Sequence, residues 1–583
     1  MIRTFSSLIA LVILLLLGGC SNLPGSHDKT DVLATLDDAY TGNSDTFPAV
    51  INLQGTPAVL YLNKSNRVAL KHKNNTILVD DKARAKGGKQ FSLDHDGGKV
   101  HAVWWSHESG KGLYAAVSEG AEPEFSGVSE VSPEFGVLPP YTILKGDGNG
   151  IGMLYSDERH SGYQAYVNTS NDGGKTWSRP DTRLDLPAPD GDSNALEPVG
   201  IRAGNAWIVA WVDAKRRPEA KEYRILSRRS TDFGKSWAPA QVLYSSEHYL
   251  SGLVISADGD SVTVLADQYH QGLIAALSKD AGNSWHKLPP IRGSEGSDNG
   301  ILSVQMHGGN AFATWTQTLK GYKARIMFGS IDLSSLNWTN EAKRLDVKEV
   351  NGTKSTQSDI KVLSDGRLVA SWVDYRNIRP AVYLSTSVDG GKNWSTPKSV
   401  EKPGEIYAAR PQLQVWADSV ALKYEVYPKD RTTEGKFILK KIGFDKQGIA
   451  SLYETPRYSE ELKKKRLIER VNTLWQSRVE GDYDTAYDVF DFAYRAASDK
   501  KVYLNSVGVI NYKTYSLQST EILGNEALVK MKLSYEIPKT LLPSGKSLEV
   551  KPVEVEAENG WVWVGNDWYM VYSPSFGQPN LHY

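Results

Sequence analysis

Four short clusters in this 583-residue chain carry side chains able to do chemistry together. They are Asp157-Glu158-Arg159-His160, Asp213-Ala214-Lys215-Arg216-Arg217 with Glu219 just beyond, Asp267-Gln268-Tyr269-His270, and Asp374-Tyr375-Arg376. Ser106-His107 is a shorter fifth. Guanidinium groups offer paired donors to a carboxylate, and aromatic residues and arginine contribute most to recognition surfaces. Asp157, Arg216, Tyr269, His270, Asp374 and Tyr375 are therefore candidate binding residues. No HExxH, Walker or Rossmann pattern accompanies them. Spacing alone does not assemble a Ser-His-Asp nucleophile. Cys20 is the single cysteine, so neither an intrachain disulfide nor a cysteine-based metal site can form. A net charge of −1 implies no general field for polyanions. No cofactor, metal or nucleic-acid partner is expected.

Each cluster ends an apolar segment, and these segments recur. Leu60–Asn63, Trp104–His107, Leu154–Asp157, Trp211–Asp213, Leu265–Asp267, Trp315–Gln317, Trp372–Asp374 and Val426–Tyr427 follow one another at roughly fifty-residue intervals, enough for four short strands and their turns. A second motif repeats between them: Ser-x-Asp-x-Gly-x-(Thr/Ser/Asn)-Trp. Its copies are Ser170 to Trp177 around Asp172, Ser230 to Trp237 around Asp232, Ser278 to Trp285 around Asp280, and Ser387 to Trp394 around Asp389. A degenerate copy runs from Ser330 through Asp332 to Trp338. The Asp accepts backbone hydrogen bonds, glycine supplies positive φ, and Trp buries a large surface, which together describe a tight hairpin turn. Asp147-Gly148-Asn149-Gly150 faintly resembles a calcium loop, but equivalent Gly/Asp/Asn pairs occupy its place in other units, so it reads as a hairpin turn.

The repeated motif is identified with the Asp box, or BNR repeat, of sialidase-like β-propellers. The fold expected is mainly β: a propeller over residues 48–453 built from eight counted units, with seven or eight blades expected and six still open. The resemblance implies that boxed turns lie between third and fourth strands, and that ligands bind on the opposite, loop face. It also implies what a sialidase would need: three arginines on a carboxylate, a Tyr activated by a Glu, and an acid/base. Arg159, Arg376 and Arg410 are the clamp candidates, Glu219 is the acid/base candidate, and Tyr424 with Glu425 could form the pair. The family's Arg-Ile-Pro motif is missing; its place falls near Thr356. The leading expectation is therefore a propeller that binds a glycan or an envelope protein without catalysis. An exo-glycosidase of the sialidase type is the alternative, and a structural or assembly factor of the envelope is the second.

Two further segments flank the array. Arg3, the apolar run Leu8–Leu17 and Leu17-Gly18-Gly19-Cys20 resemble a bacterial lipoprotein signal peptide over residues 1–20, with Cys20 as the lipidated residue. The expected location is the cell envelope, on the outer membrane, with residues 21–47 as a tether. Residues 454–583 change pattern: Leu467, Ile468, Val471, Leu474 and Trp475 keep helical spacing, and Val529, Met531, Leu533, Tyr535 and Ile537 alternate as a strand. Helices followed by a Trp-rich antiparallel sheet resemble the NTF2-like α+β roll.

Overall fold

Strand residues buried on both faces read as nearly continuous apolar runs, and such runs build most of this chain. The computed structural model describes residues 32–571 except 42–45, 80–87, 97, 107–111, 121, 134–136, 161, 187–193, 217–220, 320–322, 347–353, 403–405, 417–418, 429–434, 446–447, 450–451, 454–457, 492–493, 496–498, 508 and 542–546. The signal segment and Cys20 lie outside these residues. Among the described residues, eight consecutive antiparallel sheets follow one another along the chain. The first spans 49–78, the second 89–132, the third 138–183 and the fourth 195–246; the fifth spans 250–288, the sixth 298–344, the seventh 355–399 and the eighth 406–442. The architecture is mainly β and propeller-like.

Each apolar segment indexed in the sequence falls in, or ends at, the second strand of one sheet. Strands Ile151–Asp157 and Leu368–Asp374 are buried along their whole length. Trp104, Trp211, Trp315 and Trp372, all on second strands, are fully buried. They fill the wedge between neighbouring sheets, where a large ring excludes most water.

The first strands of neighbouring sheets pack side by side and form the inner layer. Seven of them carry a bulge, seen as register shifts at Lys89/Ser92, Leu138/Thr142, Leu196/Val199, Ser251/Val254, Gly300/Ser303, Thr356/Asp359 and Ala409/Gln412. Six bulges place one residue at positive φ: Gln90, Glu197, Gly252, Ile301, Gln357 and Arg410. The third sheet has Pro139-Pro140 there instead, and proline's fixed φ excludes the left-handed conformation. Bulges re-aim the side chains of a strand, and here they link the sheets. Tyr141 Oη donates to Gln90 Oε1 (2.7 Å), Leu253 N to Glu197 Oε2 (3.0 Å) and Arg410 N to Gln357 Oε1 (2.9 Å).

The first sheet is the exception. Its inner strand, Ala49–Leu53, has five residues and an unbroken register. Here the two ends of the ring of sheets meet. Val32–Leu36 adds to the outer edge of the eighth sheet by pairing with Lys436–Ile442. The tether expected over residues 21–47 is thus corrected in part: an apolar strand there satisfies an open sheet edge. Leu36, Ala39, Val59, Tyr61 and Phe437 pack together across this seam.

The C-terminal unit begins with helix α1, Glu460–Glu480, capped by Ser459 and ended by Gly481 in the left-handed conformation. Short helices α2 (Tyr483–Asp488) and α3 (Lys500–Ser506) follow. A four-stranded meander of Asn511–Leu523, Glu526–Leu541, Ser547–Val564 and Asp567–Met570 completes it. Leu467, Val471, Leu474 and Trp475 of α1 pack on Val529, Met531, Trp561 and Trp568 of the sheet.

Candidate functional site

The boxed turns join third to fourth strands, and their wiring is the same in all four copies. Ser170 Oγ donates to Asp172 and accepts from Gly174 N (2.8 Å), while Thr176 gives Asp172 both its N–H (2.9 Å) and its hydroxyl (2.6 Å). Asp232, Asp280 and Asp389 repeat this with Ser236, Ser284 and Asn393. Against slight burial, these donors pull the Asp172 and Asp280 carboxyls down to about 2. At Asp389 the Asn393 N–H leads and the value is again about 2. Trp177 Nε1 donates to Ser129 and Trp394 Nε1 to Gly391 O, while Trp237 and Trp285 keep unpartnered buried indole N–H groups. Every acceptor of these Asp residues serves the turn.

The acids and arginines of the opposite face also satisfy one another. Asp157 takes the Arg159 N–H (2.7 Å) and its guanidinium (2.8 Å), and Asp181 takes the same guanidinium at 2.9 and 3.0 Å. Asp374 holds Arg376 the same way, N–H at 2.8 Å and Nη2 at 2.5 Å. Each arginine also lies over a third-strand ring, Arg159 over Tyr166 and Arg376 over Tyr383, both at 4.1 Å. Both corners share one pattern, Asp-x-Arg followed by Tyr seven residues on. Arg224 pairs with Asp213 across strands (2.6 Å), and Arg410 pairs with Glu425. The clamp candidates therefore do not share one open anion site: Arg159, Arg376 and Arg410 are each bonded to acids of their own sheets. Arg202 lies at the boxed end, donating to Gly146 O and Asp147. Tyr424 and Glu425 do not form a pair, because adjacent strand residues face opposite sides and Tyr424 Oη donates to Glu401. Glu219 and the Arg216 side chain lie outside the described residues.

What stays open lies between the fourth and fifth sheets. Tyr249 and Tyr269 are 40% and 46% exposed, and Tyr269 N donates to Tyr249 O at 2.9 Å. Tyr269 packs edge-on to His270 (4.1 Å), and Tyr223 edge-on to Tyr249 (5.3 Å). His270 faces Asp298 at 3.8 Å. Behind this corner is Asp267, the counterpart of Asp157, Asp213 and Asp374 at the end of a second strand. Among the described residues no cation pairs with it; Asn299 Nδ2 donates to it at 2.8 Å. Burial pushes its carboxyl up to about 6, against the Asn299 hydrogen bond. Sequence alone pointed to Tyr269 and His270 but not to Tyr249, which precedes an inner strand rather than following a second one.

Asp374, Tyr375 and Arg376 lead into a turn that the C-terminal unit covers. Asn525 Nδ2 donates to Arg376 O, and Ile378 packs on Val562, Val564 and Val571. Arg379 gives both acceptors of Asp491 a hydrogen bond, with both residues buried, and its Nε donates to Tyr407 Oη at 3.0 Å. Tyr375 is half-buried under the Lys354 ammonium. The expectation that Asp374 and Arg376 offer ligand contacts is corrected: both are under 9% exposed and committed to this corner.

At the seam, the short inner strand of the first sheet leaves a cavity of about 460 Å³ between it and the second and eighth sheets. Lys423 lines it, buried, its ammonium donating to Pro48 O and lying 4.2 Å from the Phe47 ring centre. Among the described residues no carboxylate forms an ion pair with Lys423. Burial brings its amine down to about 7, with the Asp359 charge opposing. Gln414 also lines the cavity, and its buried Oε1 accepts no hydrogen bond. Nothing in the sequence marked Lys423, since the seam exists only once residues far apart in the chain meet.

A BNR repeat-like domain family matches residues 142–320, which run from the third sheet into the sixth. Among solved structures, the chain is similar to an α-L-arabinanase of Penicillium chrysogenum at 13% identity, covering 52% of this chain and 96% of that one with a TM-score of 0.33. It is similar to a Hadza microbial sialidase at 13% identity, covering 64% and 80% with a TM-score of 0.31. The NanB sialidase from Streptococcus pneumoniae matches at 10% identity, covering 68% and 92% with a TM-score of 0.31. No curated protein sequence matches the chain.

Proposed function

We propose that this chain is a lipid-anchored cell-envelope protein whose propeller-like ring binds a glycan or an envelope-protein partner without catalysis. The eight sheets are read as eight blades, and the C-terminal unit as an NTF2-like roll that adds an assembly surface. Cys20 is read as the lipidated residue holding the protein to the outer membrane. One observation carries the reading. The loop face keeps an exposed aromatic corner at Tyr249, Tyr269 and His270, while Arg159, Arg376 and Arg410 are each occupied by acids of their own sheets. Tyrosine rings give a rigid apolar platform with a polar edge, which suits sugar faces and protein partners alike. Binding of the full chain to an oligosaccharide array tests this. Tyr269→Ala and Tyr249→Ala are expected to weaken the bound class about tenfold or more with the melting temperature unchanged. Equal binding by wild type and both variants would count against the corner as the site.

The glycosidase reading keeps one specific support, the unpaired Asp267 carboxyl raised to about 6 behind an open Tyr-His corner. A carboxyl that keeps its proton up to about pH 6 can act as a general acid in mildly acidic solution.

A further inference from the structure

The ring repeats a bulged inner strand seven times and omits it once, and the omission leaves a cavity that two buried polar groups line. The cavity at the seam has a volume within the range of small-ligand sites, about 300–1,000 Å³. Lys423 is buried and forms no ion pair among the described residues, although the Asp359 charge reaches it; Pro48 O takes one of its donors and the Phe47 ring lies beside it. An ammonium has three donors to give. On the same wall Gln414 Oε1 is a buried acceptor with no donor. Buried polar groups in native proteins are almost always hydrogen-bonded, so a lone cation and an orphaned acceptor sharing one cavity call for a common partner. The rest of the wall includes Val50, Leu93 and Leu439.

These three requirements define a ligand. It brings an anion to Lys423, an N–H donor to Gln414 Oε1, and an apolar side chain to the leucine wall. We propose that the seam cavity binds the C-terminal end of a peptide: its terminal carboxylate on Lys423, a backbone N–H on Gln414, and an apolar last side chain against Val50, Leu93 and Leu439. Capture of a C-terminal carboxylate is an established mode of peptide recognition. The hydrogen bond on the lysine side is charge-assisted, which makes it selective for the free acid over its amide. A sugar acid would supply the anion but not the apolar side chain, and a neutral sugar would supply neither. This site is separate from the Tyr249–Tyr269 corner and does not rest on the reading given for it.

Calorimetric titration of the full chain with acetyl-Ala-Leu and with its C-terminal amide tests the proposal. The acid is expected to bind, and the amide to bind at least about tenfold more weakly. Lys423→Met keeps the length of the side chain and removes a lone buried amine, so it is expected to fold and to lose the preference for the acid. Gln414→Leu, which leaves Lys423 in place, is expected to weaken the acid about threefold to tenfold. Thermal melts of both variants confirm that each is folded. Equal binding of acid and amide, unchanged binding by folded Lys423→Met, absence of binding by the acid, or binding of glucuronate in its place would each overturn the assignment.

Discussion

The arc from the third to the seventh sheet and the seam where the first and eighth sheets meet are built from the same kind of sheet but differ in how their buried charges are held. In the arc, most corner acids answer arginines within a sheet, Asp157 with Arg159, Asp213 with Arg224, Asp374 with Arg376, and Asp267 is the exception, held by Asn299. At the seam, among the described residues, Lys423 has only a backbone carbonyl and a ring, and Gln414 Oε1 accepts no hydrogen bond. The difference teaches how to read charge in a repeated fold. A charged residue that recurs with its partner at fixed spacing is holding the repeat together. One that stands alone where the repeat fails is available to a ligand.

Substitutions sharpen this contrast. Asp374→Ala leaves the buried Arg376 uncompensated and is expected to cost about 3–5 kcal/mol in denaturant unfolding; a loss below about 1 kcal/mol would show that the arc does not depend on its corners. Asp389→Ala, which removes the acceptor for Asn393, is expected to cost about 1–2 kcal/mol. Because the folded Asp389 carboxyl lies at about 2, below its ordinary value, its contribution is present above about pH 4 and disappears as pH falls towards 2. The variant and wild type should therefore converge in acid.

Asp267→Asn runs the other way. Its folded carboxyl is raised to about 6, so the native state holds a proton that the unfolded chain releases near pH 4. Wild-type stability should fall as pH rises from about 4 to 6, and the variant should be the more stable by about 1–2 kcal/mol at neutral pH, with no advantage below pH 4. Lys423→Met is expected to stabilise at neutral pH, because it removes the cost of burying the ammonium. The folded amine near 7 lies below its ordinary value of 10.5, so the burial cost is full below pH 7 and is relieved as pH rises towards 10.5. The variant's advantage should shrink over that window in thermal melts; an advantage that grows would contradict a lone buried amine.

The boxes were legible in the sequence because their chemistry is local: Ser, Asp, Gly and a donor residue four positions after the Asp contain the whole turn. The second strands were legible for a related reason, since each is buried on both faces and reads as one apolar run. The loop face is legible in its place. Asp157/Arg159/Tyr166 and Asp374/Arg376/Tyr383 repeat one spacing, and the partners that hold each arginine follow from the fold. The Val32–Leu36 strand was hidden because its partner lies four hundred residues away. In the C-terminal unit, the alternation from Val529 to Ile537 announced one strand, whereas Asn511–Leu523 was obscured by two register shifts and α3 by its polar sequence.

The central claim is that this face binds and does not turn over. Incubating the full chain with fluorogenic aryl sialosides and arabinofuranosides, beside an Asp267→Asn control, tests it most directly. The account predicts release no faster than the control for every glycoside at any pH from 4 to 8. Release by wild type that rises as pH falls towards 6 and vanishes in Asp267→Asn would contradict it, and would make Asp267 a catalytic acid.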